Sequence, residues 1–320
     1  MATEFMRIED EASWLEKRKG YVTSTQMAAL FGLSKYNTAF ELYHISRGNI
    51  EAEIKENNFM KFGKIIEAPI CEMIKIEHPD WIINDYPYFA YDEKDKIGSS
   101  FDRVVEIDGK SYLLEIKSIS YSEYKENFTE HSADDIEALP QYEVQMHMEM
   151  ELTKDSGFDG VVMAIFILDT RTLRYIFRKY DPEVGAELRS AAREFWALTE
   201  WPTPDYLRDK SIISRVCPEI DPEFQLDATK DNRITELAAQ YKASKDLIKQ
   251  EEAAADAAYA EITVLVGKAK YAWTNDYKIT ISDIKPNEGK PITQDMVGTI
   301  VGARNGYKKL TITETKKKDK

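Results

Sequence analysis

Apolar and polar positions along the chain fall into blocks of two different periods. In the N-terminal third the spacing is helical. In "TSTQMAALFGLS", Met27, Leu30 and Phe31 follow a cluster of hydroxyl residues, and Gly32 supplies a stop. "NTAFELYHISRG" repeats the design and ends at Gly48, and "FMKFGKIIEAPICEMIKIEH" predicts a longer helix closed by Pro79. Between about Trp81 and Ile119 the period drops to two, with Tyr, Ile and Val enriched, which predicts strands. "DIEALPQYEVQMHMEMEL" returns to helix. "FDGVVMAIFILD" reads as a buried strand by its length and β-branched content, with "RTLRYIFRKY" as its partner. "DPEVGAELRSAAREFWALTEW" predicts a helix capped by Asp181 with Pro182 in its first turn.

After "PTPDYL" the composition shifts. From about Asp227 to Lys270 an alanine- and charge-rich helix is expected. Its stripe (Ile234, Leu237, Tyr241, Ile248, Ala255, Ala258) continues to Ile262 and Leu265 in steps of three and four. Ser244 and Glu251 interrupt it. The stripe suits either a helical hairpin on its own domain or an oligomer or partner contact. Two alternating strands, "DYKITISDI" and "KKLTITET", precede a basic, solvated tail, "KKKDK". The expected organisation is one domain over 1–225 and a C-terminal region over 226–320, without internal repeats.

Composition narrows the function classes. The longest apolar run, "VVMAIFIL", has about eight residues, far short of the ~20 needed to span a bilayer. The acidic, polar N-terminus shows no signal peptide, and Cys71 and Cys217 cannot build a disulfide framework, so a cytoplasmic protein is expected. A net charge of −14 argues against non-specific coating of nucleic acid, though not against a grip on DNA at one locally basic place.

The candidate chemistry lies in "SSFDRVVEIDGKSYLLEIKS". Asp108-Gly109 between two apolar runs signals a two-residue hairpin loop. Ile107 then pairs with Lys110, Val105 with Tyr112 and Arg103 with Leu114, which brings Asp102 opposite Glu115. Lys117 shares their face, and Arg103 points to the other. Carboxylates directly across a strand pair sit roughly 4.5–5.5 Å apart at Cβ and repel. Solvation, protonation of one acid or a cation between them relieves this. A hard divalent cation such as Mg²⁺ takes oxygen ligands, and its bound water can attack a phosphodiester beside Lys117.

Asp, hairpin, Glu-x-Lys resembles the PD-(D/E)xK nuclease core. Four blocks in order resemble the phage lambda exonuclease-like viral recombinase family: "WLEKRKGYVTSTQMAALFGLSKYNTAFELYHISRG", "FGKIIEAPI", "GSSFDRVVEIDGKSYLLEIKS" and "LPQYEVQMHMEM". They cover about Trp14 to Met150. Phe101 and Arg103 depart from the family's Pro and Gly beside the Asp, and Thr25 replaces a Ser.

The resemblance implies an α/β restriction-endonuclease-like fold, a central mixed sheet flanked by helices, here with a C-terminal helical and β-hairpin extension. It implies Asp102, Glu115 and the Ile116 carbonyl as metal ligands, with Glu67 approaching the metals from an earlier helix. Lys117 would be the catalytic lysine, aided by Tyr142 and Gln145, while Arg18, Ser24, Thr25 and Gln141 would contact DNA phosphate. The cofactor would be Mg²⁺, two ions, with Mn²⁺ able to substitute. The activity implied is 5′ to 3′ digestion of one strand from a duplex DNA end in phage-type recombination. That role would place the protein in a bacterial host, feeding a single-strand annealing partner from a trimeric ring. An endonuclease on the same core and a non-catalytic DNA-end-binding scaffold are the alternatives.

Overall fold

A computed structural model describes residues 3–51, 58–132, 135–217, 221 and 223–285, and the backbone of 307–314. Two compact units divide at Glu219/Ile220, slightly before the expected boundary at 225.

The first unit opens with β1 (Glu4–Arg7), α1 (Glu11–Arg18), β2 (Val22–Thr23), α2 (Ser24–Leu30) and α3 (Ala39–Ser46). Thr38 caps α3 by accepting from the Glu41 amide at 3.0 Å. Gly32 and Gly48, both at φ +70°, follow α2 and α3 in the left-handed conformation that stops them. α4 (Asn58–Glu77) carries Pro69 in its interior, yet remains one helix of 20 residues. Then come β3 (Ile82–Asp85), β4 (Tyr88–Asp92), β5 (Ile97–Ser100), β6 (Arg103–Ile107) and β7 (Lys110–Ile119).

After β7 the chain forms α5 (Tyr121–Asn127), β8 (Phe128–Ser132), β9 (Asp135–Ala138) and α6 (Pro140–Thr153). The helix expected from residue 135 therefore starts five residues later. Asp135–Ala138 pairs antiparallel with β8, a contact that local periodicity does not encode, and Pro140 is better placed at a first helical turn. β10 (Gly160–Ile167), β11 (Thr172–Arg178), α7 (Pro182–Ala197) and α8 (Lys210–Val216) complete the unit. Asp181 caps α7 by accepting from the Glu183 and Val184 amides, as expected.

The main sheet runs β11-β10-β7-β6-β3. β7 and β10 are parallel and every other pair is antiparallel, so the sheet is mixed. All eight residues of β10 are buried, which explains its unbroken apolar sequence. One face packs Ile70 and Ile74 of α4 against Val105, Leu114 and Val162. The other packs α6 and α7, through Met146, Met148 and Leu188, against Leu113, Val161 and Met163. This is the expected α/β arrangement. A second sheet, β1-β4-β5-β2, lies beside it in the chain.

Behind the second face, Arg189 pairs with Asp92 and Asp95 at 2.7 Å and with Glu151, all three acids being buried. Glu151 also accepts from Lys154 and Tyr180, so this cluster ties α6, α7 and the β4–β5 turn together.

The second unit contains α9 (Asn232–Val266), β12 (Tyr271–Trp273), β13 (Tyr277–Ile284) and β14 (Tyr307–Glu314). α9 is one unbroken helix of 35 residues, not a hairpin, since no Gly or Pro interrupts it. Asp231 caps its start and Gly267 follows its end. None of its residues is buried. The two anticipated strands pair antiparallel, and β12 adds a third that the sequence reading lacked. "KKKDK" lies outside the described residues.

Candidate active site

The β6–β7 hairpin sets the site. Asp108 and Gly109 adopt φ of 51° and 73°, the left-handed pair that a two-residue loop of this twist requires. The register is the expected one, from Ile107↔Lys110 to Arg103↔Leu114. The ladder ends at Arg103, and Asp102 departs from it, but its Oδ2 accepts a hydrogen bond from the Ile116 amide at 2.8 Å. The carboxylate thus takes the place of the missing strand partner. A strand residue's N–H and C=O point to the same side, so the Ile116 carbonyl shares this edge with Asp102.

Leu113 belongs to the core beneath α6 and Leu114 to the core beneath α4. Alternation therefore turns Glu115 and Lys117 toward α6. Lys117 Nζ donates to Glu115 Oε1 at 2.6 Å, and Gln145 Nε2 of α6 donates to the same oxygen at 2.7 Å. Gln145 Nε2 also donates to Glu149 Oε1 at 3.0 Å. Both hydrogens of that amide are used on acids. Gln141, Tyr142, Gln145 and Glu149 are all buried, so this polar face of α6 is turned into the protein. Lys117 Nζ stands 6.0 Å from the centre of the Tyr142 ring. That ring stacks on Phe128 (5.3 Å, 15°), which stacks on Tyr124 (5.2 Å, 19°).

The electrostatics follow from crowding acids in a half-enclosed place. Burial, then the Glu115 carboxylate, pushes Asp102 up to about 8, against the opposing pull of Lys117 and the Ile116 amide. Burial, with Glu115 again, holds Glu149 well above the usual carboxylate range. For Lys117 burial favours the neutral amine, but Glu115 and Asp102 outweigh it and push the ammonium up, so it stays charged.

Glu67 lies on α4, across the sheet from Lys117. It pairs with Arg103 at 2.5 Å, and Arg103 also reaches Asp85 at 3.0 Å. Burial raises Glu67, Arg103 opposes this, and Glu115 adds to the rise. Arg103 lies on the α4 side of the sheet, where it also donates to the Asp102 carbonyl at 2.5 Å, and the Glu67 it holds adds to the rise of Asp102. Among the described residues no three His, Cys, Asp or Glu side chains converge to hold a metal ion. Asp102, Glu115 and the Ile116 carbonyl are the groups that could hold a cation here. They offer oxygen alone and include two mutually repelling carboxylates, which fits a hard divalent ion that keeps several waters.

The N-terminal residues are arranged around α2. Thr23, not Ser24 or Thr25, is its cap, exchanging hydrogen bonds with Gln26. Thr25 Oγ1 lies 3.2 Å from Thr23 Oγ1, and buried Ser24 meets Ser99 Oγ at 2.7 Å. Ser99 sits on β5, three residues before Asp102, so α2 is joined to the strand that leads into the site. Arg18 lies over the Trp14 ring at 4.7 Å. Burial lowers its pKa. No hydrogen bond or ion pair joins it to Asp102, Glu115 or Lys117 among the described residues. Gln141 Oε1 accepts from the Lys35 amide at 3.1 Å. Lys35 and Glu149 were not anticipated. Glu149, four residues after Gln145 on one helix face, was available as a signal.

Comparison with known proteins adds the following. The alkaline exonuclease LHK-Exo from Laribacter hongkongensis aligns over 64% of this chain and 96% of its own, with 19% identity and a TM-score of 0.46. The same enzyme in complex with dAMP aligns over 58% and 91%, again at 19% identity and a TM-score of 0.46. A third structure, SSO0001, aligns over 65% and 95%, with 14% identity and a TM-score of 0.35. A search of curated proteins finds no match. Residues 13–156 match the YqaJ-like viral recombinase domain, a span that contains all four sequence blocks and the Asp102, Glu115, Lys117 and Gln145 cluster. In that span the chain is similar to the YqaJ-like viral recombinase domain.

Proposed function

We propose that this protein is a Mg²⁺-dependent exonuclease that hydrolyses one strand of linear duplex DNA from its end, 5′ to 3′. The reading is supported above all by one observation: Lys117 and Gln145 meet on a single oxygen of Glu115, beside an Asp102 whose ionisation burial and Glu115 disfavour. Asp102, Glu115 and the Ile116 carbonyl would hold the metal, with Mn²⁺ as a substitute and two ions expected. When bound, the metal supplies Lewis acidity and a water of lowered pKa.

The chain's own residues do the rest. Lys117 stays protonated, so it offers fixed positive charge to the phosphate as negative charge develops on it. Gln145 gives Glu115 Oε1 a second anchor beside Lys117. The Tyr142 ring faces the lysine ammonium at 6.0 Å. Arg18, Ser24 and Thr25 would hold phosphate near the strand end. A trimeric ring with an acidic exterior would reconcile a charge of −14 with a DNA substrate, and the product strand would pass to an annealing protein.

Linear duplexes blocked or phosphorylated at each 5′ or 3′ end, and covalently closed circles, test this with and without Mg²⁺. Loss of linear DNA from free 5′ ends, with circles intact, is expected. Cutting of circles would favour an endonuclease, and end binding without cleavage a scaffold.

A further inference from the structure

Three cations on the elements around the candidate active site are answered by carboxylates: Lys117 by Glu115, Arg103 by Glu67 and Asp85, Arg178 by Glu143. Lys35 is answered differently. Its ammonium donates to the amide oxygen of Asn127 at 2.6 Å, and no carboxylate pairs with it among the described residues. Its own backbone amide is bound to Gln141 Oε1. An exposed lysine in a loop is thus fixed at both ends to elements about a hundred residues away in sequence.

The element it is fixed to is the first turn of α6, a helix of 14 residues whose N-cap, Leu139, offers no side-chain cap. Gln141 is 8% exposed, and its Nε2 is buried without a hydrogen-bond partner. Three features therefore converge: the positive end of a helix dipole, an unused buried N–H₂ donor and an uncompensated ammonium. The chemistry that satisfies all three is an oxyanion. Tyr142, the next residue of the same turn, is the one that approaches Lys117. Glu123 is the opposing charge nearby, since its carboxylate acts on Tyr142.

We propose that Lys35, Gln141 and the N-terminal turn of α6 seat a backbone phosphate of the bound DNA strand, adjacent to the phosphate that faces Lys117. This rests on the nuclease reading. Lys35 is a binding residue in it, not a participant in the bond-breaking step.

The test uses the full-length protein, a short fluorescein-labelled duplex in Ca²⁺ for binding, and Mg²⁺ digestion for rates. Lys35→Ala should weaken duplex binding about tenfold and reduce the slope of log K against log [salt] by about one. KM should rise while kcat stays within about twofold, and Lys35→Arg should restore most of the binding. Lys94→Ala, another exposed lysine, should change neither binding nor slope. Unchanged binding and slope in Lys35→Ala, or an equal loss in Lys94→Ala, would overturn the seat alone. A parent protein that neither binds nor cuts duplex would overturn the nuclease reading, and the seat with it.

Discussion

The Ile116 amide donates to the Asp102 carboxylate at 2.8 Å, one residue past the end of the hairpin ladder. That single bond holds an acid next to Glu115 where strand pairing no longer can. It also costs the protein something, because two carboxylates now share one poorly solvated edge.

The cost has a pH signature. Asp102 has a folded pKa of about 8, above its ordinary value of 3.8, so the folded state keeps this proton longer than the unfolded state does. Stability is then greatest below about pH 4 as far as this group is concerned, and is lost as pH rises to about 8. Metal-free protein should melt lower as pH climbs through that window. Asp102→Asn should flatten the dependence and melt about 4 °C above the parent near pH 8, on the scale of 1–2 kcal/mol in a domain of this size. Added Mg²⁺ should raise the parent's Tm more near pH 8 than near pH 5. Thermal melts across pH read all of this, and parallel curves for the two proteins would contradict it.

Burial and the Glu115 carboxylate favour the neutral form of Glu149, and Gln145 does not depend on its charge. Gln145 donates to Glu149 Oε1, so the acceptor oxygen matters and the charge does not. Glu149→Gln should therefore keep near-parental activity. Glu149→Leu strands a buried N–H, which costs about 1–3 kcal/mol and frees Gln145 from one of its two anchors. Its kcat should fall about tenfold or more. Equal losses in the two variants would show that the carboxyl acts otherwise.

Lys117 is the fixed cation of the site. Lys117→Met should retain the fold, because the aliphatic stem is replaced in kind, but lose about 100-fold or more in kcat. Circular dichroism and single-turnover digestion separate the two effects.

Gly185 on α7 tests the buried acid cluster independently of catalysis. A Cβ there would stand 2.2 Å from Glu151 Oε2. Gly185→Ala should force the carboxylate off Arg189 and Tyr180, costing about 1–3 kcal/mol despite alanine's better helix propensity. An unchanged or higher Tm would mean the cluster repacks freely.

Much of the site was legible because the hairpin loop has only one common geometry. Asp108-Gly109 sets the pairing, pairing sets the faces, and the faces of Arg103, Glu115 and Lys117 follow. What escaped depends on contacts distant in sequence. Asp135–Ala138 reads as helix by itself and becomes a strand only because β8 is there to pair with it. α6 reads as a helix, but nothing local says that its polar residues are buried against acids and a lysine loop, so Glu149 and Lys35 stood outside the expected set. Glu67 is where a helix glutamate should be, but Arg103 on the same face claims its carboxylate.

The most direct measurement is the release of nucleotides from a linear duplex by parent and Asp102→Asn protein, with Mg²⁺ and with chelator. Digestion by the parent in Mg²⁺ alone, with a loss of about 1,000-fold in a normally folded Asp102→Asn variant, is the predicted result. Equal rates for parent and variant, or undiminished digestion in chelator, would contradict the account.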